Sequence, residues 1–258
     1  MTELNDPQNL SEEDFLAEVH SFQFWLEAVE GYLGGTEFGF DSTLVDQDFS
    51  GSELDFLTTT LCNYCIAEKT ALEASSGMIR FAPDSEAAIF LSTQVVDEGR
   101  HLEIFLHRLK MLGISDPWLE IDERANRSLL QFRDRLLEFV DQRDWEAAIF
   151  AQNVILEAME FSVFQSHAAR ADPITGAILM GVVKDERRHM GFGENDLGRK
   201  LSQAPHTRVR LNQITKELNP LVLATFSEIA KEIGIEGDEG AGVSSNYLAI
   251  IDRLGFTI

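Results

Sequence analysis

The sequence has few of the residues that would indicate a secreted, basic or membrane-spanning protein. Cys62 and Cys65 are its only cysteines among 258 residues, too few for a disulfide framework. A net charge of −23 argues against binding to nucleic acid or to anionic lipid. No apolar run reaches the roughly 20 residues that span a bilayer, and the first residues form no basic or apolar signal region. We therefore expect a cytoplasmic protein whose partners are small molecules or other proteins, without nucleic acid or membrane.

Proline is also scarce, with six in the chain, and almost every segment repeats its apolar residues with helical period. We predict an all-α protein in which residues 1–258 form one domain, a four-helix bundle core with additional N- and C-terminal helices. The core helices are expected near residues 52–80, 84–112, 144–170 and 173–203. A further helix near 117–141 should join the two pairs, and corners should lie at 82–85 and 171–173, where proline follows a residue that it keeps out of the helix.

Both ends of the chain should add helices to this core. A helix is predicted over residues 11–33, with Ser11 as its cap. The Gly- and Phe-rich connector at 34–51 is long for a compact domain and is interpreted as either a lid or a mobile loop. A helix over 206–233 should kink or split at Pro220, and a Gly-rich linker at 236–245 should lead to a short C-terminal helix.

A five-residue motif occurs twice, as Asp97-Glu98-Gly99-Arg100-His101 and as Asp185-Glu186-Arg187-Arg188-His189. Each copy places a Glu and a His three residues apart, so both side chains leave the same face of a helix. Chance alone predicts roughly 0.6 Glu-x-x-His matches from 26 Glu and 6 His, and the chain has no other copy. Two copies with the same Asp and Arg positions indicate metal ligands.

The predicted corners supply one partner Glu for each motif. Glu68 and Glu98 lie 15 residues to either side of Pro83, and Glu157 and Glu186 lie at nearly equal distances from Asp172. At 1.5 Å per helical residue, all four lie at a depth of about 20 Å from the corners. Two packed hairpins would therefore bring together six metal ligands: Glu68, Glu98, His101, Glu157, Glu186 and His189. Glu160, three residues after Glu157, is an alternative or additional ligand.

Four buried carboxylates need compensating charge, because an unpaired one costs several kcal/mol or more. Two divalent cations balance them, and mixed oxygen and nitrogen ligation suits iron or manganese. Glu98 and Glu186 are the expected bridges between the ions. The neighbouring aspartates, Asp97 and Asp185, should accept the imidazole N–H of the opposite His, and Arg100 and Arg188 should neutralise those aspartates.

This ligand order resembles the ferritin-like di-iron carboxylate superfamily. The repeated motif looks like the hydroxylases of bacterial multicomponent monooxygenases. Residues 171–194, with Asp172-Pro173 and Phe192-Gly193-Glu194 at its ends, resemble the aldehyde-deformylating oxygenases. Residues 67–80 and 185–190 resemble the ribonucleotide-reductase-like ligand-binding oxidases. The resemblance covers roughly residues 55–200 and implies two iron ions, or a Mn/Fe pair, with O2 as co-substrate.

The chain departs from these families at single positions. Phe105 stands where reductase subunits carry a radical Tyr, so no radical is stored there. Ala71 and Gln152 stand where the ligand-binding oxidases cross-link Val to Tyr, so no such ether forms. Phe161 replaces a Thr of the monooxygenase hydroxylases, whose subunits are also much longer, so membership in that family is not expected.

We therefore predict an O2-activating non-haem di-iron oxidoreductase that acts on a small or long-chain apolar substrate. Aldehyde deformylation is the more specific alternative, and iron storage or peroxide scavenging of the ferritin or rubrerythrin kind is the alternative from another class. No flavin or nicotinamide motif is present, so electrons should come from an external ferredoxin or reductase. We expect a monomer or a homodimer.

The remaining candidates surround the metal faces. By helical spacing, an apolar substrate pocket should involve four side chains: Leu72, Phe105, Phe161 and Phe164. Tyr64, one turn before Glu68, either bonds a ligand or relays an electron, or it only fills the core. Cys62 and Cys65 are interpreted as buried thiols rather than as a redox pair.

Overall fold

The computed structural model describes residues 38–232, 238–253 and 256, and every regular element in this part of the chain is helical. The helices are α1 Gly51–Met78, α2 Ser85–Met111, α3 Pro117–Glu123, α4 Arg127–Asp141, α5 Trp145–Phe150, α6 Glu157–Ala168, α7 Pro173–Gln203, α8 His206–Glu232 and α9 Asp238–Arg253. A 3₁₀ turn, Ile79–Phe81, extends α1, and a π-helical segment, Ala151–Leu156, joins α5 to α6. The all-α prediction is confirmed, whereas the predicted helix at 11–33 lies outside the described residues.

Side-chain caps explain where the bundle helices begin. Ser50 accepts a hydrogen bond from the backbone N–H of Glu53, and the Glu53 carboxylate accepts one from the Ser50 N–H. Asp84 caps α2, and Asp172 caps α7 immediately before Pro173. Both predicted corners are therefore confirmed.

Two antiparallel hairpins form the centre of the molecule. Helix α1 packs along α2, and α6 packs along α7, while contacts of α2 with α7 and of α1 with the π segment join the two pairs. Outside this centre, α4 packs on α1, α8 on α4 and α9 on α6. The interior is filled by fully buried side chains such as Leu61, Phe90, Ile155 and Leu179. Each such burial contributes about 1.5–3 kcal/mol.

One helical stretch in the described part of the chain, Trp145–Ala168, is long and apolar enough to cross a membrane by length and composition. No such run was expected from the sequence. In the structure 89% of its apolar window is buried inside the protein. A central bundle helix is surrounded by other helices, so it is apolar on most of its circumference. Its composition is explained by this position.

The predicted helix over 117–141 is wrong as a single element, because the chain forms two helices there, α3 and α4, with a non-helical link between them. The Asn126 side chain accepts from the backbone N–H of Leu129 and so caps α4. The Asn63 side chain in turn accepts from the Asn126 backbone N–H. Local side-chain bonds of this kind compete with helix continuation.

The C-terminal region is more helical than predicted. Helix α8 runs through Pro220 without splitting. Helix α9 already begins at Asp238, inside the predicted linker. Val243, Tyr247 and Ile251 are spaced four residues apart and pack against the core. Their burial outweighs the roughly 1 kcal/mol that each glycine costs in a helix.

Residues 38–50 of the connector contain turns and extended chain without a helix. The ring of Phe38 stacks on His107, with 3.7 Å between ring centroids. Asp46 accepts two hydrogen bonds from Arg108, whose guanidinium also donates to Asp172 over 3.1 Å. These contacts hold the connector against the C-terminal end of α2. Its role as a lid stays a prediction.

Candidate metal centre

The structure brings all six predicted ligands to one place in the middle of the bundle. They come from α1, α2, the first residue of α6, and α7, and all are fully buried: Glu68, Glu98, His101, Glu157, Glu186 and His189. Two sets have ligand atoms within 4.8 Å of one another. The first contains Glu68, Glu98, His101 and Glu186, and the second contains Glu98, Glu157 and His189.

Two carboxylates lie between the two imidazoles. The Nδ1 atom of His101 is 3.6 Å from Glu98 Oε2 and 3.3 Å from Glu186 Oε1. The Nδ1 atom of His189 is 3.3 Å from Glu98 Oε1 and 3.2 Å from Glu186 Oε2. Each carboxylate thus presents one oxygen to each imidazole, which is the arrangement that two adjacent cations require of shared ligands.

The other two glutamates each face one imidazole. Glu68 Oε2 lies 3.1 Å from His101 Nδ1, and Glu157 Oε2 lies 3.5 Å from His189 Nδ1. The arrangement therefore has two similar ends with a shared middle.

The far side of each imidazole meets an aspartate from the other motif. His101 Nε2 lies 3.2 Å from Asp185 Oδ2, and His189 Nε2 lies 3.3 Å from Asp97 Oδ2. An N–H donated to these carboxylates orients the ring and leaves the Nδ1 lone pair facing the glutamates. This is the crossed pairing that the sequence predicts.

Arg188 also reaches across to the other motif. It pairs with Asp97 and donates to the Thr93 hydroxyl over 3.0 Å. Burial lowers the pKa of Arg100 to about 10, and the charge of Asp185 opposes that change. Arg188 thus pairs with the aspartate of the opposite motif, and the charge of the opposite motif's aspartate also acts on Arg100.

Three amide side chains that the sequence did not assign to the metal site support Glu157, directly or through one another. Gln94 donates from Nε2 to Glu98 Oε1 over 2.9 Å and to Glu157 Oε1 over 2.8 Å. Gln152 donates to the same Glu157 oxygen over 2.9 Å, and Asn153 donates to the Gln94 side-chain oxygen over 2.8 Å. The available signal was the polar pair Gln152-Asn153 inside an otherwise apolar run.

The π segment explains how Gln152 reaches Glu157. Five residues separate the two, and only a π turn places such a pair on one face. The segment also lies very close to α7, because a Cβ atom added to Gly193 would be 2.7 Å from Asn153 Cβ and 2.9 Å from its carbonyl oxygen. Gly193 therefore permits the approach that positions the amides.

Burial and mutual repulsion shift the pKa values of the clustered side chains. Burial raises the pKa of Glu68 to about 8, although the charge of His101 lowers it. Burial, together with the charges of Glu186 and Glu98, raises the pKa of Glu157 well above its ordinary value. Burial disfavours the charged form of His101, yet the charge of Glu68 and a bond to Asp185 raise its pKa strongly. The cluster therefore needs compensating positive charge, which protons or bound cations can supply, and cations that bind there displace the protons.

Unpartnered oxygens give a direct test of whether metals fit. Each of the four predicted glutamate ligands has one buried oxygen without a hydrogen-bond partner among the described residues: Glu68 Oε1, Glu98 Oε2, Glu157 Oε2 and Glu186 Oε1. A buried acceptor without a donor costs about 1–3 kcal/mol, and more when it is charged. Two divalent cations would satisfy these oxygens and both Nδ1 atoms, so the residues fit a dinuclear oxygen-rich site.

Tyr64 is buried, but its hydroxyl lies 2.9 Å from His167 Nδ1 rather than on a ligand carboxylate. Its ring contacts Phe164 at 4.6 Å and Phe105 at 5.5 Å between centroids. The partner His167 was missed, because no spacing pattern in the sequence links it to Tyr64.

The predicted pocket residues are dispersed around the core. Phe164 borders a cavity of about 20 Å³ next to Tyr64, whereas Phe105 is fully buried, and Leu72 and Phe161 are partly buried against the core. A substrate pocket at these residues stays a prediction.

Both cysteines are buried free thiols, as expected. Burial raises the pKa of Cys62 to about 12 and that of Cys65 well above its usual value. Neither thiol has the low pKa that a reactive cysteine requires.

The bundle and its paired Glu and His side chains define a ferritin-like oxidoreductase of the O2-using di-metal class. The sequence model of the long-chain fatty aldehyde decarbonylase family matches residues 65–248. The chain belongs to that family.

Solved structures support the fold. A Synechococcus protein with aldehyde deformylating oxidase activity is 19% identical, with a TM-score of 0.67 over 86% of this chain and 95% of that one. A variant of an R2-like ligand-binding oxidase with an anaerobically reconstituted Mn/Fe cofactor is 17% identical, with a TM-score of 0.70 over 81% of this chain and 84% of that one. The resemblances to the aldehyde-deformylating oxygenases and to the ligand-binding oxidases are thereby confirmed at the level of the fold.

Proposed function

We propose that this protein uses two iron ions, or a Mn/Fe pair, and O2 to deformylate a long-chain aldehyde. The observation that carries the dinuclear site is the position of Glu98 and Glu186, each with one oxygen toward His101 and the other toward His189. Membership in the aldehyde decarbonylase family supports the substrate class.

The proposed ligands form one Glu–His pair for each ion and two glutamates that both ions share. Glu68 and His101 would hold one ion, Glu157 and His189 the other, and the two Glu-x-x-His glutamates would bridge. When bound, such a pair would pass to O2 electrons that an external reducing system supplies. Four carboxylates balance two divalent ions, so the loaded site carries no net charge into the core.

The protein's own side chains keep the ligands in position. Asp97 and Asp185 hold a proton on each Nε2, which leaves each Nδ1 free to bind metal. The amides of Gln94 and Gln152 bind Glu157 Oε1, so its other oxygen faces His189. These bonds fix the geometry before a substrate arrives.

Aromatic side chains form part of the surroundings of the site. Phe90 stacks on Phe192 with 3.8 Å between ring centroids, and the ring of Phe90 is nearly perpendicular to that of His189, with 6.3 Å between centroids. Phe105 and Phe164 line the region near Tyr64. Such walls exclude water, which protects a reactive oxygen species and suits an alkyl chain.

Anaerobic loading with Fe(II), followed by O2, a long-chain aldehyde and a reducing system, tests the proposal. We expect about two iron ions per chain, O2 consumption, and formate together with a hydrocarbon. Glu73→Gln is the matched control, because Glu73 is exposed on the same helix as Glu68. Absence of bound iron would refute the site, and bound iron with O2 consumption but without formate would refute only the aldehyde assignment.

We also propose an external ferredoxin or reductase as electron donor and a monomeric or homodimeric state. The absence of flavin and nicotinamide motifs in the sequence supports the first proposal. Native mass measurement tests the second, and a large cage would instead indicate iron storage.

A further inference from the structure

A seventh carboxylate lies beside the six proposed ligands. Glu160 is 2% exposed and follows Glu157 by three residues on the same face of α6. One of its oxygens lies within 4.8 Å of ligand oxygens of both Glu157 and Glu186. Neither Glu160 oxygen has a hydrogen-bond partner among the described residues.

Two buried aspartates outside the set of proposed ligands have cationic partners. Asp97 pairs with Arg188, and Asp172 pairs with Arg108. Glu160 has no ion pair among the described residues, and the charges that act most on it are those of other glutamates. A buried carboxylate in this position costs several kcal/mol unless a cation or a proton compensates it.

We propose that Glu160 is a seventh ligand of the dinuclear centre and binds the ion that is held by Glu157 and His189. The inference rests on the proposed function, because it requires the metal pair. The corresponding position in the first hairpin, three residues after Glu68, is Ala71. The additional ligand therefore belongs to one metal position and not to the other.

Charge balance indicates when Glu160 should bind. Four carboxylates already neutralise two divalent ions, so a fifth leaves an excess of about one negative charge, whereas two trivalent ions leave about two positive charges for it to reduce. Glu160 should therefore bind the oxidised pair more tightly than the reduced pair. The cavity of about 20 Å³ that borders Glu160 beside Tyr64 and Phe164 has room for about one water, and so for a small movement of the carboxylate.

Crystal structures of the iron-loaded wild type before and after O2 test this directly. In the oxidised crystal we expect a Glu160 oxygen at about 2.0–2.2 Å from the ion nearest His189, a normal metal–carboxylate distance. The inference would be overturned if both ions are bound but no Glu160 oxygen lies within coordination distance of an ion, before or after O2. A wild type without metal would instead overturn the proposed function.

Metal titration of Glu160→Gln gives an independent readout, with Glu73→Gln as control. We expect about tenfold weaker retention of one ferric ion and a changed absorption spectrum, while the other ion is kept. Equal retention and an unchanged spectrum would contradict the inference. Melting of the metal-free variants checks folding, and if Glu160→Gln misfolds, the wild-type crystal structures decide the question without it.

Discussion

The two ends of the proposed metal centre have matching Glu and His side chains but different hydrogen-bonding support. At one end, Glu157 Oε1 accepts hydrogen bonds from Gln94 and Gln152. At the other end, Glu68 Oε1 has no hydrogen-bond partner among the described residues. The residue three positions after Glu157 is Glu160, whereas the residue three positions after Glu68 is Ala71. A doubled motif therefore does not imply two equivalent metal positions.

The helix type causes part of this difference. Asn63 and Gln152 each lie five residues before the single glutamate of their hairpin. In the regular helix α1 this offset turns Asn63 away, and its amide donates to the carbonyls of Thr59 at 2.9 Å and Arg124 at 3.2 Å. In the π segment the same offset places Gln152 on Glu157. One amide thus supports the fold, and the other supports a ligand.

The largest effect should come from Gly193→Ala. The new methyl group would overlap Asn153, including its carbonyl oxygen at 2.9 Å, so the π segment or α7 must move. We expect a loss of about 1–3 kcal/mol in the free energy of unfolding, together with weaker metal binding beside His189. Denaturant unfolding and metal titration measure the two effects.

Gly198→Ala on the same helix is the control, because nothing lies within 4 Å of its added Cβ. It should be neutral or stabilising by up to about 1 kcal/mol. Similar behaviour of the two variants would show that the close approach at Gly193 is unimportant.

A smaller effect, confined to metal binding, is expected for Gln152→Leu. Loss of the amide leaves Gln94 as the one hydrogen-bond donor to Glu157 Oε1 among the described residues. The metal beside His189 should then bind about tenfold more weakly. Asn63→Leu should instead lower the free energy of unfolding by about 1–3 kcal/mol, because the Asn126 N–H loses its acceptor. Its metal affinity should not change. Metal loss in Asn63→Leu, or full affinity in Gln152→Leu, would remove the proposed distinction.

The smallest effect concerns pH at the contact between the hairpins, where His167 bonds Tyr64. Burial lowers the pKa of His167 from 6.5 to about 4. Between these values the unfolded chain binds a proton that the folded protein does not, so stability falls as pH decreases through this window. Since His167 is partly exposed, we expect a contribution of about 1–2 kcal/mol. His167→Gln should flatten that part of the stability profile, and an identical slope in both proteins would argue against it.

The sequence predicted which six side chains lie together because helix geometry converts spacing into position. The Glu-x-x-His pairs and the equal distances to the two corners determine both the face and the depth of each ligand. The crossed pairing of Asp97 with His189 followed from the same symmetry.

Tertiary packing decided what the sequence could not show. The π segment differs from a regular helix by one residue per turn, and no local pattern marks it. Tyr64 and His167 meet although 103 residues separate them. Helix α9 begins inside a Gly-rich stretch because Tyr247 and Ile251 are buried. In each case, contacts between distant segments outweigh the local preference.

Metal content of Glu186→Ala, compared with His189→Ala and the wild type, tests the shared-carboxylate centre most directly. The account predicts about two metal ions per chain in the wild type, about one in His189→Ala, and almost none in Glu186→Ala, because a bridging carboxylate serves both ions. Two bound ions with unchanged O2 reactivity in Glu186→Ala would contradict it.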